Sequence, residues 1–121
     1  MASTAGTANR QPPASPRSGT DLSRSLQEIL GPRLTAIVAG VDDVATLRRW
    51  AGGQPVPGQA MARLCTALEA AETLLTVESR ATVRAWFVGM NAVLDDTSPA
   101  LAIASDPDRV LLAARVFAAY G

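Results

Sequence analysis

The side chains that could carry out catalysis in this sequence are few, and they do not form a recognisable set. The chain contains no histidine and one cysteine, Cys65, so it lacks the usual general base for a serine or cysteine nucleophile and cannot assemble a Cys/His zinc site. Its carboxylates include three close pairs: Glu69 and Glu72, Asp95 and Asp96, and Asp106 and Asp108. Paired carboxylates can serve acid/base or metal chemistry, but these fit a solvated helix face, a polar turn and the first turn of a helix. We therefore expect no enzymatic activity, no metal and no cofactor.

The basic residues are all arginines, and acidic residues balance them. There are 11 of each, which gives a formal net charge of +0. This balance argues against strong sequence-independent binding to nucleic acid, because such binding depends on an excess of positive charge. Arginine is nevertheless the better bidentate ligand for guanine and for carboxylate. Specific contacts by individual arginines therefore stay open.

Length and composition favour a small all-α protein. Of the 121 residues, 48% are hydrophobic and 4% aromatic, so the core must consist mainly of Leu, Val and Ala, as in helical bundles. Residues 1–20 are rich in Ala, Ser, Thr, Pro and Gly and predict a disordered arm. No stretch has the length and apolarity of a membrane span and no signal peptide opens the chain, so we expect a cytoplasmic protein without membrane contact. A domain of this size gains stability from association, which favours a homo- or hetero-oligomer.

Residues 34–57 predict two short helices joined by a tight turn. The apolar positions of the two helices are Leu34, Ile37, Val38, Leu47 and Trp50. Gly40 interrupts the first helix, and Asp42 or Asp43 can cap the second, because a short carboxylate accepts the N–H groups that the first turn leaves unpaired. Gly52-Gly53 then ends the second helix. A helix-turn-helix places its second helix in the DNA major groove, so this pair is the candidate DNA-binding element.

Apolar residues at helical spacing predict further helices on both sides of this pair. Their expected bounds are Asp21 or Ser23 to Leu30, 59–76, 78–90, 99–104, and from Asp106-Pro107 to the C-terminal end. Cys65 lies in the apolar row of 59–76, where we expect a small buried hydrophobe. Ala81 and Met90 lie in the apolar row of 78–90. The segment between 91 and 98 is expected to be a loop that closes on Leu94. The chain is thus predicted to be a small helical bundle.

Two separate stretches resemble one family of proteins. The first resembles an Xre-type helix-turn-helix and is carried by Leu34-Thr35, Thr46-Leu47, Arg49-Trp50 and Gly53 with Pro57. The second resembles the toxin-binding domain of the MbcA/ParS/Xre antitoxins and is carried by Trp86-Phe87, Asn91, Leu94, Ser98-Pro99, Val110 and Ala113-Ala114. The order of the two stretches also matches the family. The resemblance implies a helix-turn-helix-like domain over 21–76 and a helical toxin-binding domain over 77–121.

The family resemblance implies a function as well as a fold. Such antitoxins neutralise a RES-domain toxin, an enzyme that consumes NAD, and their C-terminal helix and last residues occlude the entrance of the toxin's active site. On this chain the resemblance assigns the toxin interface to Trp86, Asn91, Arg109, Arg115, Phe117, Tyr120 and Gly121. Trp86 also fits a core position, because it lies on the apolar face of its helix. Family members with a functional helix-turn-helix repress their own promoter, so operator DNA is a second expected partner.

Individual residues of the predicted helix-turn-helix can be assigned to DNA. The second helix begins with Asp43, Val44, Ala45 and Thr46, which would face the bases. Arg49 is the best candidate for reading guanine, while Arg48, Arg33 and Thr35 could hold phosphates. A stand-alone transcriptional repressor is therefore the alternative to an antitoxin. A third interpretation is that the element is only a structural three-helix core without a DNA function.

Overall fold

The computed structural model describes residues 18–120, and within that range the chain is all-α, as predicted. Seven α-helices and a short 3-10 turn account for the regular structure of these residues. Their bounds are α1 Gly19–Leu30, α2 Pro32–Ala39, α3 Val44–Ala51, α4 Gly58–Leu75, α5 Arg80–Val88, the 3-10 turn Ala92–Leu94, α6 Pro99–Ala102 and α7 Pro107–Tyr120. No helix among the described residues is long and apolar enough to cross a membrane.

The helix boundaries follow the capping signals in the sequence. α1 begins at Gly19, earlier than the predicted start at Asp21 or Ser23, because the hydroxyl of Ser18 accepts the N–H of Asp21 at 3.1 Å and caps the helix. Residues 18–20 of the predicted arm therefore belong to a capped helix, whereas residues 1–17 lie outside the described range. α4 and α7 lie within one residue of their predicted starts, and α6 ends two residues before its predicted end.

The longest helix, α4, lies at the centre of the molecule. It packs against α1, α2, α5 and α7, and its most extensive contact is with α7. Most of its buried side chains are small, so that neighbouring helices can approach closely: Ala60, Leu64, Ala67, Leu68, Ala70, Ala71 and Leu74. The α7 face turned to the core is equally small, with Val110, Ala113 and Ala114 buried. A core with few aromatic residues is therefore filled by close helix approach rather than by large rings.

A single hydrophobic core includes residues from all seven helices. It extends from Leu22 in α1, through Leu64 in α4, to Ala114 in α7, and it contains both Trp50 and Trp86. The predicted boundary between 76 and 77 falls in the short connection between α4 and α5. The segments on the two sides of that connection therefore share one core.

Several side chains predicted to be buried are exposed instead. Cys65 is exposed on α4, Ile37 is 50% exposed on α2 and Met90 is 84% exposed beyond the end of α5, and Ala81 is also exposed. The predicted apolar rows followed the larger hydrophobic residues. On α4 the buried face instead combines leucines with alanines such as Ala67 and Ala70, and Cys65 lies outside it. On α5 the helix ends at Val88, so Met90 does not continue its buried row.

Candidate functional site

The last helix carries a row of exposed apolar side chains. Leu112, Val116 and Tyr120 are 49%, 37% and 88% exposed. Their spacing of four residues places them on one side of α7, because side chains four apart lie above one another on a helix. The opposite side of α7 is buried against the core. We call these three residues the α7 stripe. Contiguous apolar exposure on a surface is a feature of sites that bind other macromolecules, whereas single exposed apolar side chains are common on any protein.

A groove runs beside the stripe, between α7 and the 3-10 turn. It has a volume of about 250 Å³ and is lined by Asn91, Val93, Ala113, Val116, Phe117 and Tyr120. Apart from the amide of Asn91 and the hydroxyl of Tyr120, the side chains of these residues are apolar. We call it the C-terminal groove. A hollow of this size fits one or two side chains of a partner rather than a small-molecule substrate, for which pockets are usually larger.

Asn91 builds the wall of the groove opposite α7. Its side-chain oxygen accepts the N–H of Val93 at 3.0 Å, and its carbonyl oxygen accepts the N–H groups of Leu94 and Asp96 at 2.9 and 2.8 Å. Leu94 is buried, as the sequence predicted, and anchors the turn in the core. Asn91 therefore contributes both a groove-lining side chain and the hydrogen bonds that shape the turn.

The two arginines predicted to contact the toxin are both paired within the chain. Arg109 contacts Asp95 at 3.1 Å and Asp106 at 3.4 Å. Arg115 contacts Glu69 of α4 at 3.5 Å. Neither arginine lines the C-terminal groove. Their side chains are partly exposed, so a partner could still reach them at the cost of these internal contacts.

Trp86 lies in the core rather than at the surface. It is 8% exposed, and its ring meets that of Phe87 edge-on, with the ring centroids 5.1 Å apart. Its indole N–H has no hydrogen-bond partner among the described residues. The structure thus supports the core role of Trp86 and removes it from the predicted contact surface, because a buried ring offers little area to a partner. Gly121, also predicted to contact the toxin, lies outside the described residues.

Helix α3, which follows the connection from α2, places two arginines at the surface. Asp43 caps α3: its carboxylate accepts the backbone N–H of Thr46 at 2.8 Å and the Thr46 hydroxyl at 2.9 Å. These two hydrogen bonds hold the pKa of Asp43 below its ordinary value, and the bond from the backbone N–H has the larger effect. Arg49 donates to the Thr46 hydroxyl at 2.9 Å. Arg48 and Arg49 are both exposed on α3.

The other residues assigned to DNA do not all share this surface. Arg33 and Ala45 are exposed and Val44 is half-buried. Thr35 is fully buried, and its hydroxyl donates to the carbonyl oxygen of Gly31 at 2.7 Å. The prediction that Thr35 holds a phosphate is therefore wrong, because α2 turns this side chain towards the core. The accessible candidates are the arginines and the start of α3.

Among residues 18–120, no group of three His, Cys, Asp or Glu side chains is close enough to hold a metal ion.

Three residues of the stripe and the groove were not predicted from the sequence: Val93, Leu112 and Val116. Leu112, Val116 and Tyr120 follow one another at intervals of four residues, and this spacing could have indicated a shared helix face. Apolar residues in a helix are usually assigned to the core, so the face was not predicted to be exposed.

Comparisons with known proteins add no relative to this description. Neither the models of protein families, nor the curated proteins, nor the solved structures contain a match to this chain.

Proposed function

We propose that this protein is an antitoxin that binds a RES-domain, NAD-consuming toxin through its last helix and occludes the toxin's active site. The observation that carries the proposal is the α7 stripe beside the C-terminal groove. The resemblance of residues 86–114 to antitoxin toxin-binding domains points to the same helix. In this proposal both proteins act in the cytoplasm.

The chemistry of the stripe supports a role as a binding element. Tyr120 presents a large ring that is 88% exposed, and aromatic side chains of this kind often contribute most to binding. Leu112 and Val116 extend the apolar surface along the helix. Burying a helix face in a cleft of the toxin would remove this apolar area from water and would block access to NAD. Inhibition would therefore need no catalytic group on the antitoxin.

The test is co-expression with the product of the neighbouring gene, which this proposal expects to be a RES-domain toxin, followed by size-exclusion chromatography and an assay of NAD consumption. We expect a stable complex in which NAD consumption is blocked. Val116→Asp should release the toxin, because a carboxylate buried in an apolar contact is strongly unfavourable. Tyr120→Ala should weaken binding by about 2 kcal/mol, roughly 30-fold.

The matched control is Ile37→Asp, which places the same charge at an exposed apolar position of α2, away from the stripe. This variant should still inhibit the toxin. Full inhibition by a chain lacking residues 117–121, or equal loss of inhibition in Ile37→Asp and Val116→Asp, would contradict the proposal.

The exposed arginines of α3 support a second function, repression of transcription. Arg48 and Arg49 project from the helix that follows the turn, and Arg49 is oriented by its hydrogen bond to Thr46. A repressor of this kind would bind a palindromic operator as a dimer. Arg49→Ala should weaken binding to the DNA upstream of the gene by about 1–3 kcal/mol, whereas Arg80→Ala on α5 should not. Absence of a shifted complex at low salt would exclude this function.

A further inference from the structure

We propose that Arg109 is a positioning residue that fixes the wall of the C-terminal groove, and not a residue that contacts the partner. The proposal deepens the function proposed above and rests on it for the use of the groove. Arg109 lies in the first turn of α7 and faces a polar hollow of about 200 Å³, lined also by Asp95 and Asp106, instead of the C-terminal groove. Its side chain is therefore directed towards the end of the 3-10 turn.

The guanidinium of Arg109 connects the end of the 3-10 turn with the start of α7, and the C-terminal groove lies between these two elements. Its Nη1 contacts Asp95 at 3.1 Å and its Nε contacts Asp106 at 3.4 Å. Asp95 immediately follows the 3-10 turn, and Asp106 immediately precedes α7. A planar guanidinium can hold both carboxylates at once. The contact therefore joins the end of the turn to the beginning of the helix.

The backbone beyond Asp95 needs such support. Asp95 and Asp96 have φ angles of +56° and +64°, a left-handed conformation that L-residues adopt rarely and that Asn and Asp tolerate better than most. The N–H of Asp96 then donates to the carbonyl oxygen of Asn91, which closes the loop. Asp95 thus lies in the same closed loop as Asn91 and Val93, which are the wall of the groove opposite α7, and its contact with Arg109 restrains that loop together with the buried Leu94.

The test is amide hydrogen exchange of the full chain, measured by NMR without any partner. Arg109→Gln and Asp95→Asn should each speed exchange at Val93, Leu94 and Asp96 by about two- to five-fold, the effect expected from the loss of an exposed ion pair. Asparagine tolerates the left-handed backbone at position 95, so Asp95→Asn reports mainly the lost charge. The double variant should show no more than the larger single effect, because both changes remove the same contact.

The matched control is Arg115→Gln, which removes another exposed ion pair of α7, the one to Glu69. It should leave exchange at Val93 and Asp96 unchanged. The proposal is overturned if Arg109→Gln and Asp95→Asn leave the loop amides unchanged, or if core amides such as those of Leu64 and Phe87 accelerate equally. Because the measurement contains no toxin, it can fail or succeed whether or not the protein is an antitoxin.

Binding to the toxin provides a second readout. If Arg109 positions the groove, Asp95→Asn and Arg109→Gln should weaken the complex by the same factor. If Arg109 contacts the toxin directly, Arg109→Gln alone weakens it and the positioning role is wrong.

Discussion

At the scale of single residues, Asp43 connects the stability of the α2–α3 turn to pH. Hydrogen bonds from Thr46 lower the pKa of Asp43 in the folded protein. A folded pKa below the unfolded value means that the ionised carboxylate contributes stability at neutral pH, which is lost as the pH falls through the folded pKa. The carboxylate also holds the Thr46 hydroxyl that accepts from Arg49. The cap and the orientation of Arg49 are therefore linked.

We predict that Asp43→Asn removes this contribution to the acid sensitivity of folding. Asparagine also caps helices well, so the variant should keep α3 while losing the charge. Its thermal midpoint should fall less than that of the wild type between neutral pH and about pH 2. Thermal unfolding followed by circular dichroism at several pH values measures this difference. Parallel pH profiles of the two proteins would show that Asp43 does not contribute.

Gly40 is a second residue whose type is dictated by its surroundings. Its φ is +78°, and a Cβ atom at this position would collide with the guanidinium of Arg63. That guanidinium donates weakly to the carbonyl oxygen of Ala39 at 3.5 Å, at the end of α2. The left-handed backbone favours glycine at this position, whereas the guanidinium is the far end of a flexible side chain and can move aside.

Gly40→Ala should therefore lower the free energy of unfolding by about 1–2 kcal/mol, the cost of a left-handed alanine. Urea denaturation gives the value. Gly58→Ala is the matched control, because Gly58 is the first residue of α4 and has no atom within 4 Å of an added Cβ. It should be neutral or stabilising, since alanine favours the helix. Equal losses in the two variants would exclude the proposed cause.

At the scale of helices, arginines from one helix satisfy the carbonyl groups at the end of another. Arg24 donates to Ala51 at the end of α3 at 2.9 Å, and Arg84 donates to Ile29 near the end of α1 at 2.7 Å. The last carbonyl groups of a helix have no partner within it and carry the negative end of its dipole. A cationic donor is therefore suited to this position. Part of the arginine content thus serves internal packing rather than an external partner.

We predict that Arg84→Met lowers the free energy of unfolding by about 1 kcal/mol, the net value of one such hydrogen bond. Methionine keeps most of the aliphatic length, so the change reports the lost donor. Arg80→Met is the control, because Arg80 reaches the carbonyl oxygen of Glu28 only at 3.5 Å. Chemical denaturation should show a larger loss of unfolding free energy for Arg84→Met than for Arg80→Met. Equal losses would argue against a specific role for the Arg84 contact.

The sequence predicted where most helices lie, but it was less successful in predicting which side of each helix is buried. Capping residues are local signals, so the start of α7 at Asp106-Pro107 was predicted correctly, and of the two candidate caps of α3, Asp42 and Asp43, the structure uses Asp43. Which face is buried depends on neighbouring helices, and α4 buries alanines that a count of large apolar residues ignores. Cys65 was misplaced for this reason. Thr35 was misplaced because its side chain is fully buried and its hydroxyl donates to the carbonyl oxygen of Gly31.

The candidate site was only partly predictable for a similar reason. Asn91, Phe117 and Tyr120 were assigned to one interface by resemblance, and all three line the C-terminal groove. Val93 also lines the groove, but its contribution depends on a 3-10 turn and on the packing of that turn against α7, about twenty residues later in the chain. Such packing between distant segments has no periodic signature in the sequence.

At the scale of the whole molecule, the shared core makes the unfolding of the two predicted segments interdependent. Trp50 belongs to the first segment and Trp86 to the second, and both are buried in the same core. α4 and α7, which also come from different segments, form the most extensive contact between helices. A small domain with one core is expected to unfold in a single cooperative step. The two tryptophans allow this expectation to be examined segment by segment.

We predict that the Trp50→Phe and Trp86→Phe variants each unfold in one transition. In each variant the remaining tryptophan reports one segment, while far-ultraviolet circular dichroism reports all helices. The midpoints from the two signals should coincide within each variant, even if the two variants differ in stability. The two midpoints are compared within each variant, and not with the wild type, because loss of a buried indole itself destabilises the protein. In Trp50→Phe, a midpoint from Trp86 fluorescence below the midpoint from circular dichroism would instead mean that residues 77–121 unfold separately. The proposed toxin-binding segment would then be a unit that unfolds before the rest of the protein.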